Sequence, residues 1–401
     1  MQDAGEVAVS GKRRAIALIA LGQVFAMSLW FVSAAILPEI VAEAALGPDA
    51  AAALSSAVQA GFVVGALASA ALGLADRFDP RAVFALAALI AASANAALAI
   101  LPPGGAGQIA MRFITGACLA GVYPVGMKIA VGWGTRDRGF LVGFLVGALT
   151  IGSAAPHLIA FAGGADWRVT VAITSILAAV GGLAIFGAGL GPYHARAGRF
   201  DPGVIGLAWT DRRLRLAYAG YLGHMWELYA FWAWAGAAAA ASFTLAGMED
   251  PTSAARLVAF GAIAAGGLVC APAGRLADRV GKARVARWAM MASGSAAILA
   301  GLSFGGPVWI TALIMLLWGV AVIPDSAQFS ALVADAAPRE AAGSLMTFQT
   351  ALGFALTIVT VQITPQVAGA IGWPLTLAGM AIGPALGVEA MRRLIALGRA
   401  G

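Results

Sequence analysis

Twelve apolar runs, separated by charged residues or Gly/Pro punctuation, dominate the chain: residues 15–38, 52–74, 82–101, 107–131, 139–163, 167–190, 216–243, 253–273, 288–304, 307–331, 341–366 and 372–391. Each approaches the length of about 20 apolar residues that a helix needs to cross a bilayer. None alternates with the two-residue period of an outer-membrane strand. Charged residues make up 11% of the sequence and hydrophobic ones 61%, against about 25% charged in a soluble chain. That surface would not be compatible with water, so soluble enzymes, nucleic-acid binders and disordered proteins are excluded. An all-α polytopic membrane protein of twelve transmembrane helices follows. The run that begins after Lys12-Arg13-Arg14 is too long for the core of a secretory signal and reads as a permanent first span.

Connections between runs are short, which makes sequential helices antiparallel neighbours. The exception is 191–215, polar and basic, with Arg196, Arg199, Arg212 and Arg213. It divides the chain into units 1–190 and 216–401 of six spans each. Of 25 Lys and Arg, all but Arg112, Lys128, Arg168 and Arg256 lie in the terminal tails or the even-numbered connections. The odd-numbered connections carry Glu39, Glu43, Asp49, Asp166, Glu249 and Asp250. By the positive-inside rule both termini and the central loop are expected in the cytoplasm. The net charge of +6 is then a topology signal with some attraction to anionic lipid, and no nucleic-acid partner is expected. Cys118 and Cys270 lie in apolar runs and read as packing residues.

The chain repeats itself at long period. Leu74-Ala75-Asp76-Arg77 recurs as Leu276-Ala277-Asp278-Arg279, Pro124 as Pro324, and Trp167 as Trp373. Two duplicated halves describe a machine in which one half moves against the other. Within the second copy, Gly274-Arg275-Leu276-Ala277-Asp278-Arg279-Val280-Gly281-Lys282 resembles the cytoplasmic signature loop of the major facilitator superfamily. The first copy, residues 73–81, has Asp79-Pro80 where Gly and a basic residue are usual. The resemblance implies two pseudo-symmetric six-helix bundles and alternating access around a cavity lined mainly by helices 1, 4, 7 and 10. It also implies that Asp76, Arg77, Asp278 and Arg279 act as gates, locking the cytoplasmic side shut when the outer side is open. A carboxylate beside an Arg at a helix end can pair with neighbouring termini in one state and release them in the other.

A charge at mid-bilayer costs about 2.5–3.5 kcal/mol even on the lenient scale, so the few inside the spans need a reason. Glu227 lies near the middle of the seventh run. His224, three positions back, shares its face and is expected to share or relay its proton. The cost of ionising such a carboxylate depends on water access, so its hold on a proton changes as a cavity turns. Asp325, after Pro324, is a third candidate for proton coupling, and the proline is expected to kink its helix. Arg112 stands ahead of a small-residue face that resembles a further superfamily motif. It is the candidate to hold an anionic substrate, with Tyr123 on the same stripe eleven positions on. Gln23 and Trp30, seven apart, and Trp318, seven before Asp325, are further candidate contacts. His157, Gln362 and a snorkelling Lys128 are equally explained by packing.

No Gly-x-x-x-x-Gly-Lys-Ser/Thr loop, clustered metal ligands or nucleophilic triad occurs. No enzyme activity, metal or cofactor is therefore expected, and uphill transport has to draw on an ion gradient. The leading expectation is proton-coupled uptake of a small organic anion across the bacterial inner membrane by a monomer. Proton-driven efflux of drugs or metabolites is the alternative. A passive facilitator or membrane sensor is the alternative of another class.

Overall fold

The computed structural model describes residues 2–134, 137–164, 166–194 and 200–397, with side chains from residue 11 onward; Arg196 and Arg199 lie outside the described residues. Every regular element among them is helical. The long helices are α1 (Gln2–Met27), α2 (Pro48–Leu72), α3 (Pro80–Ala97), α4 (Ala106–Val131), α5 (Arg138–Gly163), α6 (Trp167–Gly187), α7 (Arg212–Leu245), α8 (Pro251–Val280), α9 (Lys282–Leu302), α10 (Val308–Ala336), α11 (Ala342–Ile371) and α12 (Trp373–Leu397). Among the described residues eleven, α2 to α12, are long and apolar enough to cross a membrane.

The first apolar run departs from the expected continuous span. Its helix stops at Met27, turns through 28–31, resumes briefly as Val32–Ala35 and ends in a linker helix, Leu37–Ala44. Only residues 15–27 of α1 lie between Arg14 and the break. The helices α4 and α10 are also interrupted, between Leu119 and Tyr123 and between Val322 and Ser326. Pro124 and Pro324 lie at these interruptions, where their missing N–H leaves a carbonyl one turn back without its usual donor.

Glycine contacts show how the repeat is built. A Cβ at Gly22 would stand 2.9 Å from the Gly181 carbonyl, and one at Gly181 equally close to Gly22, so α1 and α6 touch backbone to backbone. Gly223 and Gly383 repeat this contact between α7 and α12. Gly116 presses on the Val58 carbonyl where α4 crosses α2, and Gly319 on the Ala262 carbonyl where α10 crosses α8. These second copies come 201–204 positions after the first. Small residues permit such approaches in membranes, where packing rather than water drives helix association.

The first six helices meet the last six along two lines, α5 against α8 and α2 against α11. At the α5–α8 crossing a Cβ on Gly147 would be 2.7 Å from the Gly267 carbonyl, whereas a Cβ on Gly139 meets nothing within 4 Å. Gly147→Val is expected to destabilise this packing by about 1–3 kcal/mol, the usual cost of overpacking. Melting curves of the purified protein should show a drop for Gly147→Val and little change for Gly139→Val.

The signature loops also have local reasons. Gly73 ends α2 at φ +62° and Gly281 separates α8 from α9 at φ +98°, both conformations that favour glycine. The first copy lacks the second glycine because Asp79 instead caps α3: its Oδ1 accepts the Arg81 N–H at 2.9 Å, and Pro80 fills the first helical position.

Candidate functional site

At the end of the molecule that carries the signature loops, a cavity of about 470 Å³ enters between α2, α4 and α11. From its depth to its mouth α2 contributes Phe62, Ala66 and Ser69, α4 contributes Ala120, Pro124 and Lys128, and α11 contributes Thr350, Thr347 and Ser344. This differs from the expected lining by helices 1, 4, 7 and 10. The central stretches of the first span and α7 are instead engaged in an aromatic cluster with α2 and α11. Trp30 packs on Phe62, Tyr229 and Phe354 at centroid distances of 4.9, 5.7 and 5.5 Å, and Phe31 meets Trp232 at 5.7 Å. Phe62 belongs both to the cluster and to the cavity wall.

Beyond the cluster, polar contacts join the two sets of helices at the far end. Ser56 Oγ donates to Gln362 Oε1 at 2.7 Å, and Gln366 Nε2 donates to Asp49 Oδ1 at 2.6 Å. Arg256 of α8 pairs with Glu39 of the linker helix, and its guanidinium also reaches the carbonyls of Ala35 and Ala160. Among the described residues this is the ion pair that joins the first six helices to the last six. Nearby, Arg168 and then Trp167 bind Glu43 and hold its carboxyl down to about 2.

Glu227 is buried inside the last six helices. It accepts from Ser293 Oγ of α9 at 2.8 Å and from Trp318 Nε1 of α10 at 2.6 Å, and Trp318 stacks on Phe231 at 4.2 Å. Trp318 therefore orients the acid and stands outside the cavity lining. The expected Glu227–His224 partnership is also replaced. His224 Nδ1 lies 3.0 Å from Asp325 Oδ1. Asp325 sits at the α10 interruption, in the cap position of its second half, but its side chain caps nothing there and turns to the imidazole. It is buried and does not line the cavity.

Arg112 stands apart from the cavity as well. Its guanidinium donates to the carbonyls of Leu29 (2.9 Å) and Trp30 (2.6 Å) and to Asn95 Oδ1 (3.2 Å). Those two carbonyls belong to the turn that interrupts the first span, where helical donors are missing. Asn95 in turn donates to Val171, Thr174 and Ser175 of α6. The arrangement engages the guanidinium on backbone and on Asn95, apart from the cavity lining. Tyr123 opens the second half of α4, beyond the interruption that follows Leu119; it is half-buried and packs on the main core. Gln23 donates to the Leu145 carbonyl of α5 at 3.0 Å, and Trp30 donates to Gln59 Oε1 at 3.2 Å.

Of the expected gates, Asp76 pairs with Lys128, which also donates to the Ala75 carbonyl at 2.8 Å. Asp76, Arg77 and Lys128 line the cavity mouth. Asp278 and Arg279 are exposed and line a second hollow of about 920 Å³ with Arg213 and Arg284, beside the Lys282–Asp335 pair at 2.5 Å. Sequence reasoning passed over Asn95, Ser293, Gln59 and Gln366, and took Arg256 and Glu39 only as topology charges. Their polarity was the visible signal; their partners lie far away along the chain.

A helical membrane protein with a cavity at one end, polar contacts closing the other and acids buried within its last six helices has the architecture of a transporter. The profile described as Major Facilitator Superfamily matches residues 19–361, and the chain belongs to that superfamily. It is accordingly an integral membrane transporter that works by alternating access, and not an enzyme. The crystal structure of the nucleoside transporter NupG, in a mutant form, is similar with a TM-score of 0.70, covering 95% of this chain and 99% of that one at 15% identity. At that identity the likeness is one of fold. No curated protein matches the sequence.

Proposed function

We propose that the protein is a proton-coupled transporter of the bacterial inner membrane. On this reading residues 1–190 and 216–401 are two bundles of six spans, the interrupted first run included. They are joined by 191–215, with both termini and that loop in the cytoplasm, and the chain acts as a monomer. The cavity then faces the cytoplasm while the far end is shut. Asp76, which pairs with Lys128, and Arg77, Asp278 and Arg279 are the gating residues of this reading, all at the same face.

The observation that carries proton coupling is the pair of buried acids, Glu227 and Asp325, whose partners are Ser293, Trp318 and His224. No Lys or Arg among the described residues pairs with either. A carboxyl group buried without a cation is suited to take up a proton and give it back as water reaches or leaves it. His224 offers Asp325 a titratable partner for the same exchange.

The expected uptake of an organic anion rested on Arg112, helped by Lys128, which here pairs with Asp76. With the Arg112 guanidinium on the Leu29 and Trp30 carbonyls, the anion keeps no deep cation to hold it. The same observation favours the alternative, movement of drugs or metabolites against protons.

The test uses proteoliposomes and a solute that raises the melting temperature of the purified protein. Glu227→Gln is expected to lose pH-gradient-driven flux by about 100-fold or more while keeping solute exchange without a gradient. Gradient-driven flux equal to that of the unmodified protein removes Glu227 from coupling.

A further inference from the structure

The cavity sorts its chemistry by depth. Its charges, Asp76, Arg77 and Lys128, all lie at the mouth, where the helix ends meet the signature loop. Deeper in, the walls are Phe62, Ala66, Ala120 and Pro124, with the hydroxyls of Thr347 and Thr350 along one side. Thr350 turns its hydroxyl back on the Met346 carbonyl at 3.0 Å, which leaves Thr347 as the deep hydroxyl most open to a guest. Of the two lining cations, Lys128 is engaged by Asp76 and Arg77 stands at the mouth beyond Gly73, while Arg112, which does not line the cavity, is held by backbone carbonyls.

We infer that the deep part of this cavity takes an uncharged, largely apolar solute that presents one hydrogen-bonding group to Thr347. The inference rests on the reading of the cavity as the transport route. A charged group lodged between Phe62 and Pro124 would be desolvated without a partner, the costliest form of burial. An apolar ring there exchanges water for aromatic and aliphatic contact. A hydroxyl or ring N–H finds in Thr347 both an acceptor and a donor. Met346, also in the wall, is unbranched and adaptable, which suits a range of shapes over one fixed shape. A volume of about 470 Å³ lies within the about 300–1,000 Å³ common for small-molecule pockets.

The experiment compares three compounds on one ring skeleton with the full-length purified protein: 2-naphthol, 2-naphthoate and 2-naphthylmethylammonium. At neutral pH they are respectively uncharged, anionic and cationic. Naphthol is expected to raise the melting temperature by a few degrees, with the two ions giving little or no shift. Thr347→Val, which keeps the shape and removes the hydroxyl, should cut the naphthol affinity about fivefold or more. Ala66→Trp, which fills the cavity, should abolish the shift and so excludes an effect of naphthol on detergent. An equal or larger shift with either ion, no shift with naphthol, or a naphthol shift that survives Ala66→Trp overturns the proposal. Binding is read without a pH gradient, so loss of the proton-coupling reading leaves this result standing, and the reverse holds as well.

Discussion

Arg112→Ala is expected to lower the stability of the first six helices and to leave the affinity of any surviving protein for its solute unchanged. The substitution removes three hydrogen bonds from a fully buried guanidinium. The Leu29 and Trp30 carbonyls would then be buried without partners, and each such orphan costs about 1–3 kcal/mol. The effect should appear as a large fall in melting temperature and in the yield of folded protein. Arg112→Lys should recover only part of it, because a single ammonium cannot match the planar fork that spans both carbonyls and Asn95. A normal melting temperature combined with lost solute binding would return Arg112 to the role of substrate holder.

The second large effect is expected at the far end. Glu39→Gln removes the anion that faces Arg256 and leaves the guanidinium, 7% exposed, without its charge partner. Breaking a fully buried pair from one side costs about 3–5 kcal/mol; this pair is partly wetted, so about 1.4 kcal/mol or more is expected, a tenfold shift in population. That cost falls only on the state in which the far end is closed, so the equilibrium should move toward far-end opening. Spin labels at Gly47 and Glu249, exposed positions in the first and last six helices, should report a longer distance component in Glu39→Gln. The double exchange Glu39→Arg with Arg256→Glu should restore part of the short distance, as a coupled pair requires. An unchanged distance distribution in the single variant would show that the ion pair does not hold this end shut.

Much of the fold was legible because bilayer length, Gly/Pro punctuation and the placement of Lys and Arg are one-dimensional signals. The interruptions at Pro124 and Pro324 were visible in the same way. The interruption at 28–31 was not, since Ser28-Leu29-Trp30-Phe31 contains neither Gly nor Pro. Its stabiliser is Arg112, more than eighty residues away. The helical wheel put His224 beside Glu227 correctly as a face, but a face does not name a neighbour. Asp325, at the interruption of α10, lies against His224, while Ser293 of α9 and Trp318 of α10 are the groups that reach Glu227. For the same reason Arg112 and Tyr123 shared a stripe only on an ideal, uninterrupted helix. Arg256 and Glu39 were read through the topology rule alone, because nothing local joins residues 217 positions apart.

The seam is made of two unlike materials. Where Gly147 meets Gly267 one backbone rests directly on the other, and there is no side chain whose rotation could loosen the fit. At the far end the joint consists of amide, hydroxyl and carboxylate groups for which incoming water is a ready substitute. The bare spot is therefore suited to serve as a fulcrum, and the polar end as the jaw that swings. The rate of each swing would then depend on how quickly solvent wets Glu39, Asp49, Gln362 and Gln366.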